Sequence, residues 1–370
     1  MQKKVCHFSS VHRLNDIRVF HKECRTLASG PYDVSLIACP ADVPQDAGVS
    51  AIALHATGGR LRRMVARARQ AYQVAKAQKA DIYHFHDPEL LPYGLLLKKL
   101  TGAKVVYDSH ECYPDDILTK EWIPAPLRKI ISVTFRRLED FVVKRLDLVV
   151  AATPHIEERF KSVARRTVTI NNYPLLQEFI QATNSDAVKD GFCYVGAISQ
   201  VRGILPLMDA LDTIDPEVKF YLAGTFAGAD IEATVKQHRN WARVTYLGQV
   251  SRKEISEVYG KSFAGIVNFL PAPNHIYSQP NKLFEYMSAG IPVVCSNFDL
   301  WRQVIEAGEA GVCVDPASAR QLADAVNRIY RDRALCEAYS HNGRRMIEEK
   351  FSWDREGERL LSTYREVLAK

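Results

Sequence analysis

Lys282 and Glu285 stand three residues apart in the stretch Ser278–Gly290, and on a helix that spacing places both on one face. A cation beside the unpaired N–H groups of a helix start suits a phosphate. A carboxylate one turn deeper accepts hydrogen bonds from sugar hydroxyls, so the stretch reads as a grip for a nucleotide carrying a diphosphate. Arg202 and Gly203 follow a strand ending in Gly196 and offer a second source of phosphate charge. An ordinary turn that needs glycine for its backbone shape is the alternative reading. His110 lies between Asp108 and Glu111, as a donor to substrate or as a general base oriented by a carboxylate. A satisfied structural histidine is the alternative there. His84, His86 and Asp87 crowd the end of another strand, but no third ligand follows at a recognisable spacing, so no metal site is expected. His12 and Asp16 occupy the first strand-to-helix loop, at the crevice edge, where acceptor contact is expected.

The elements that must position these residues follow a strand-then-helix rhythm, the pattern of a parallel α/β sheet. In the first half, apolar runs at 4–8, 32–38, 49–54, 81–85, 103–107 and 148–152 read as strands, with 168–174 closing the half. Helices are expected from about Arg18 to Ala28, from Leu61 to Lys79 with Leu61, Val65, Ala68 and Tyr72 on one side, and from Pro124 to Arg145. In the last of these Leu127, Ile130, Ile131, Phe135, Leu138, Phe141 and Val142 form an apolar stripe among arginines and lysines. Packing on the protein's own core is the expected fate of that stripe, and contact with an anionic membrane is the alternative. After a polar linker at 181–186 the rhythm restarts, with strands at 192–196, 218–224, 244–248, 265–270 and 311–315. Helices are expected at 206–211, 300–306 and 356–369, and one at 252–259 enters through Ser251 with Glu254 in a capping box. Pro280 suits the first turn of the helix carrying Lys282, capped by Ser278 or Gln279, and Gly290 suits its left-handed end. Polar residues beyond the C-terminal ends of parallel strands face the ligand crevice of such sheets.

With 370 residues the chain has room for two domains, and binding in the cleft between them is the default expectation. Its eight cysteines lack metal-ligand pairing and read as reduced thiols in a cytosol. The start of the chain has no signal-peptide pattern, and no run approaches the roughly 18 apolar residues of a spanning helix. The net charge is +6, but residues 1–170 hold 27 Lys and Arg against 18 Asp and Glu, a basic half suited to anionic surfaces. No G-x-G-x-x-G, P-loop or G-x-S-x-G stretch is present, which sets aside dinucleotide oxidoreductases, nucleoside triphosphatases and serine hydrolases.

Taken together, the stretches 12–18, 84–91, 106–111, 194–203, 246–248, 280–287 and 289–294 resemble a retaining glycosyltransferase of family 4, over nearly the whole chain. The resemblance implies an α/β GT-B fold of two Rossmann-like domains facing each other across a cleft, with the final helix crossing back. Residues 1–174 plus 355–370 would bind the acceptor and residues 175–354 the nucleotide-sugar. It implies catalytic roles for His110, Arg202 and Lys282, of which the part given to Lys282 is inferred from its place on the helix. Donor contacts are expected from Gly196, Arg202, Gly203, Gly248, Tyr277, Ser278, Asn281, Lys282 and Glu285. Acceptor contacts are expected from His12, Asp16, His86, Asp87 and Glu111. Glu285 matches the ribose-binding glutamate of the family's E-x7-E motif, but Tyr277 stands where the sugar-binding glutamate belongs, and Ala197 where an arginine is frequent. The implied reaction moves a sugar from a UDP- rather than a GDP-sugar onto a glycan or lipid-linked glycan for surface polysaccharide. It uses no cofactor, no catalytic metal and no nucleic acid, in the cytoplasm or at the inner face of the membrane. A nucleotide-sugar epimerase of similar fold, or a non-catalytic solute-binding protein, are the rival readings.

Overall fold

The structure is a computed structural model that describes residues 2–44, 48–55, 60–120, 123–183 and 187–369, without the side chains of 60–63, 181, 183, 273 and 274. The side chain of Leu61 and the linker residues 184–186 therefore lie outside the described residues. Two compact units emerge, Met1–Asn172 with Trp353–Lys370, and Tyr173–Ser352.

The first unit is built on seven parallel strands: β1 (Lys3–Arg13), β2 (Tyr32–Cys39), β3 (Val49–Ala53), β4 (Ile82–Phe85), β5 (Lys104–Ser109), β6 (Leu148–Ala151) and β7 (Thr167–Thr169). Their order in the sheet is β3-β2-β1-β4-β5-β6-β7. The central strands are buried because helices cover both faces of such a sheet, β4 along its whole length and β1 from Val5 to Ser10. The order reverses between β1 and β4, so the crevice beyond their C-terminal ends is the place where a doubly wound sheet takes a ligand. His7 on β1 is in register with His84 on β4. The helix Trp353–Leu368 completes this unit: Trp353 donates through Nε1 to Thr26 Oγ1 at 2.8 Å, and Glu356 accepts from Asn171 Nδ2 at 3.0 Å.

Two expectations change here. The segment after β1 is not an α-helix from Arg18 to Ala28. It opens as a π-helix, Ile17–Cys24, capped by Asp16, whose carboxylate accepts the N–H groups of Arg18 and Val19, and only Arg25–Ala28 is α-helical. The wider turn of a π-helix brings residues five apart onto one face, which turns both Arg18 and Glu23 inward. Most of the apolar stripe of the helix Ala125–Val143 does not pack on the core: Ile130 is 63% and Phe141 51% exposed, beside Leu127, Ile131 and Leu138, whereas Phe135 and Val142 do pack on it. Its buried side is narrow, formed by Ser132, Glu139, Val142 and Val143. Ser132 Oγ donates to Pro114 O at 2.7 Å and Glu139 accepts from Tyr107 Oη at 2.9 Å.

The second unit carries six parallel strands: β8 (Gly191–Val195), β9 (Lys219–Ala223), β10 (Val244–Gly248), β11 (Ser262–Val267), β12 (Val293–Ser296) and β13 (Gly311–Val314). They run in the order β10-β9-β8-β11-β12-β13, reversing between β8 and β11. Tyr286, Met287, Val293, Cys295 and Trp301 fill the core on one side of the sheet, and Phe192, Leu207, Phe220 and Leu322 that on the other. The capping box of Ser251 and Glu254 is present at the helix Arg252–Gly260. The helix carrying Lys282 runs Asn281–Ser288, with Pro280 in extended conformation at its cap. Neither Ser278 nor Gln279 caps it, because Ser278 Oγ is turned back onto His275 O at 2.8 Å. Among the described residues no helix is long and apolar enough to cross a membrane.

Candidate active site

In the second unit the strand ends next to the switch point are shaped by glycines. Gly196 and Gly224 have φ of 146° and 144°, and Gly248 and Gly203 have φ of 65°, a region L side chains avoid. Gly196 N donates to Ala223 O at 2.9 Å and Gly224 N to Gly248 O at 2.7 Å, which pulls the three strand ends into one ledge. Arg202 leaves the short 3-10 turn Gln200–Arg202, and its guanidinium lies over the Phe269 ring, 5.1 Å from the centroid. Asn268 Nδ2 ties this turn to the end of β11 by donating to Gly203 O at 3.1 Å and Pro316 O at 3.0 Å. His275 rests against Phe269 and shares a hydrogen bond with Leu270 O at 3.0 Å. Burial and the nearby Arg202 push the His275 pKa down, so it stays neutral beside the arginine.

Lys282 and Glu285 do share a helix face, and they meet as an ion pair with Nζ 2.5 Å from Oε2. Glu285 is buried and also accepts from Arg252 Nη1 at 3.2 Å and Tyr259 Oη at 3.1 Å. Arg252 in turn reaches the Glu178 carboxylate, with its guanidinium over Phe179. Burial disfavours charge on Arg252, but Glu285 and Glu178 outweigh it and hold the arginine firmly protonated. Arg252, Tyr259 and Glu178 thus fix the carboxylate, and sequence reasoning missed all three. Only the capping box pointed to their neighbourhood. Tyr277 is 55% exposed, and the Ser278 carbonyl is held by Trp301 Nε1 at 2.8 Å. Asn281 is exposed at the first turn of the helix.

In the first unit the loop after β1 and the ends of β4 and β5 converge. Asp108 lies at the centre, forked by Arg18, whose Nε is 3.1 Å from Oδ2 and Nη2 2.9 Å from Oδ1. Arg18 Nη1 also donates to Ile170 O at 2.8 Å. His110 Nε2 meets Asp108 Oδ2 at 2.9 Å, and His86 Nδ1 meets the same oxygen at 3.1 Å. Burial works against charge on Asp108, but Arg18 and His110 hold its carboxyl well below the usual range. With Asp108 ionised, both histidines donate to it, and His110 keeps Nδ1 as its second ring nitrogen. His12 lies against His110 with ring centroids 4.9 Å apart, and its Nδ1 is 3.0 Å from Asp16 Oδ2.

The structure therefore brings His12, Asp16 and His110 together, with His86 and Asp87 behind them. Those last two do not present themselves as acceptor contacts. His86 is 0% exposed, and Asp87 is buried, its Oδ2 taken by Ser9 Oγ at 2.7 Å and Ser10 N at 2.6 Å. Glu111 is exposed. Arg18, Glu23 and Glu89 were missed; Glu89 accepts from Ser10 Oγ at 2.8 Å, and burial beside Asp87 raises its pKa.

Residues 17–172 match the family described as Glycosyl transferase 4-like domain, and residues 177–346 match Glycosyl transferases group 1. The chain is similar to spore coat protein SA of Bacillus subtilis, 29% identical over 46% of this chain and 47% of that protein. It is 25% identical to the capsular polysaccharide biosynthesis glycosyltransferase CapM of Staphylococcus aureus, over 54% of this chain and 51% of the relative. O-antigen chain mannosyltransferase C of Escherichia coli is 23% identical over 78% and 76%. The matches span about half the length of the first curated relatives. In fold, the chain is similar to sucrose-phosphate synthase from Thermosynechococcus elongatus, with a TM-score of 0.79, 20% identity and 99% of each chain covered. It is similar also to Anabaena HepE in complex with UDP, with a TM-score of 0.72, 16% identity and 98% and 100% covered.

Proposed function

Since the chain belongs to the family 4 glycosyltransferases, with their GT-B fold of two Rossmann-like domains, we propose that it is a retaining transferase. It moves a sugar from a nucleotide-sugar, a UDP-sugar by preference, to a glycan or lipid-linked glycan acceptor in surface polysaccharide synthesis. The observation that carries this reading is the ledge of Gly196, Gly224 and Gly248 beside Arg202 at the switch point of the second sheet. A backbone stripped of side chains by glycine lets a diphosphate approach closely, and the Arg202 guanidinium beside Gly196 supplies its counter-charge. The reading also draws on relatives named for capsule and O-antigen synthesis, and on a fold neighbour bound to UDP.

In the proposed reaction Arg202 and Lys282 stabilise the charge that develops on the departing nucleoside diphosphate. Glu285, held by Arg252 and Tyr259, takes the ribose hydroxyls, and Tyr277 lies beside the sugar in place of a carboxylate. The acceptor hydroxyl attacks the anomeric carbon on the face the phosphate leaves, and a phosphate oxygen takes its proton. The sugar–phosphate bond breaks as the new glycosidic bond forms, and the charge falls on side chains without a metal. His110, oriented by Asp108 through Nε2, accepts at Nδ1 from a hydroxyl of the transferring sugar, and His12 and Asp16 contact the acceptor. The exposed Leu127, Ile130, Ile131 and Phe141, with Arg128, Lys129, Arg136 and Arg137, dock the first unit on an anionic membrane.

A binding screen over UDP-, GDP-, ADP- and dTDP-sugars, followed by product analysis, tests the reading. One donor should bind, and its sugar should appear on an acceptor with the anomeric configuration kept. An altered free sugar nucleotide with no transfer, or full turnover by both Arg202→Ala and Lys282→Ala, sinks it.

A further inference from the structure

Behind Asp108 the first unit buries four ligand-type side chains against one another. His7 comes from β1, His84 and His86 from β4 and the residue just past it, and Glu23 from the π-helix Ile17–Cys24. All four are 0% exposed, and one donor atom from each lies within 4.8 Å of the others. The fold dictates this meeting. His7 and His84 are in register on adjacent strands, His86 points the same way two residues on, and the π-helix turns Glu23 onto them.

The hydrogen bonds divide the ring nitrogens into outer and inner sets. On the outside, His86 Nδ1 meets Asp108 Oδ2 at 3.1 Å and His84 Nδ1 meets Tyr364 Oη at 2.6 Å. His7 Nε2 lies 3.4 Å from the same hydroxyl. On the inside, His7 Nδ1 is 3.0 Å from His86 Nε2 and 3.9 Å from Glu23 Oε2. Among the described residues His84 Nε2 and both Glu23 carboxylate oxygens are buried with no hydrogen-bond partner. Arg18 Nε lies 3.0 Å from Glu23 Oε1, which leaves Oε2 as the oxygen on the histidine side.

An outer ring nitrogen fixed by a carboxylate or hydroxyl, with the inner one turned to the ion, is how proteins hold a metal-ligating imidazole, and a bound ion would replace the hydrogen bond between His7 Nδ1 and His86 Nε2. Three imidazoles and a carboxylate suit zinc and its neighbours among first-row divalent ions. Nitrogen ligands of a four-coordinate zinc stand about 3.3 Å apart, close to the His7–His86 separation. We propose that His7, Glu23, His84 and His86 form a structural site for one zinc-like divalent ion, which clamps β1, β4 and the π-helix beneath His110.

The test is metal analysis of the full chain purified from zinc-supplemented cells. About one zinc per chain is expected. Cobalt exchanged into its place should give the visible absorption of a four-coordinate centre, and a strong chelator should lower Tm. Glu23→Gln, which keeps the side-chain volume, should weaken retention at least tenfold and alter the cobalt spectrum. His110→Ala should leave metal content unchanged, which separates this site from the neighbouring His86, Asp108 and His110. The proposal is overturned by protein without stoichiometric metal that also takes up no zinc or cobalt on refolding. It is equally overturned by a metal content and cobalt spectrum unmoved in Glu23→Gln.

Discussion

Arg18 and Asp108 meet fork to fork, with both N–H···O contacts between 2.9 and 3.1 Å, although they lie on a π-helix and on β5. Both are buried, and removing one partner strands the other's charge. Arg18→Met should therefore cost about 3–5 kcal/mol of stability, measured by urea unfolding. A loss within roughly 1 kcal/mol would mean that Asp108 finds another counter-charge.

Arg252 acts on donor binding through Glu285. Arg252→Met should raise KM for the donor by about tenfold or more, the worth of a charged hydrogen bond, and move kcat less. A drop confined to kcat would contradict that role.

His12 supplies a pH signature. Burial opposes its charge, but the hydrogen bond to Asp16 and the charges of Asp87 and Asp16 outweigh it and lift its pKa above 6.5. The contribution of a raised histidine is complete below its unfolded value and lost as pH rises through the folded one. Asp16→Asn keeps a helix cap but removes the charge, so its Tm deficit against wild type should be largest near or below about pH 6.5 and shrink above it. A deficit that grew with pH would refute the sign.

Gly224 leaves no room for a side chain, since a Cβ would stand 1.7 Å from Gly196 O, at a φ of 144°. Gly224→Ala should lower stability by about 2–3 kcal/mol and weaken donor binding, by calorimetry and donor titration. By contrast, at Gly102 a Cβ would meet nothing within 4 Å, so only its φ of 69° is strained and Gly102→Ala should cost about 1 kcal/mol.

The exposed helix Ala125–Val143 should carry the protein down with vesicles containing anionic lipid, and salt should release it. The double variant Ile130→Glu, Phe141→Glu should weaken the partition by at least about tenfold. Binding indifferent to lipid charge and salt would mean that this helix does not dock on a membrane.

Much of this architecture was legible because buried parallel strands read as unbroken apolar runs, as at Val293–Cys295 and Leu148–Ala151. The pairing of Lys282 with Glu285 and the capping box at Ser251 are local in sequence and were equally open to reading. The rest depends on geometry that no local pattern encodes. Arg18 and Glu23 are five apart, which on an α-helix points them different ways and on a π-helix the same way. The stripe around Ile130 has the periodicity of a packed helix, and it is left exposed because Ser132, Glu139, Val142 and Val143 form the inward side. The hold of Arg252 on Glu285 crosses 33 residues and had no signal at all.

The helix Trp353–Leu368 belongs to the first unit, yet the second unit is threaded through the chain before it. On the ribosome this imposes an order of completion. Residues 1–172 emerge first but stay without Tyr364 against His7 and His84, and without Glu356 on Asn171. At ordinary synthesis rates the second unit takes roughly ten to forty seconds to follow, and it can close by itself in that interval. The domain translated first is thus the last to be sealed, and a released chain ending after Ser352 would carry a finished second unit on an open, protease-sensitive first one.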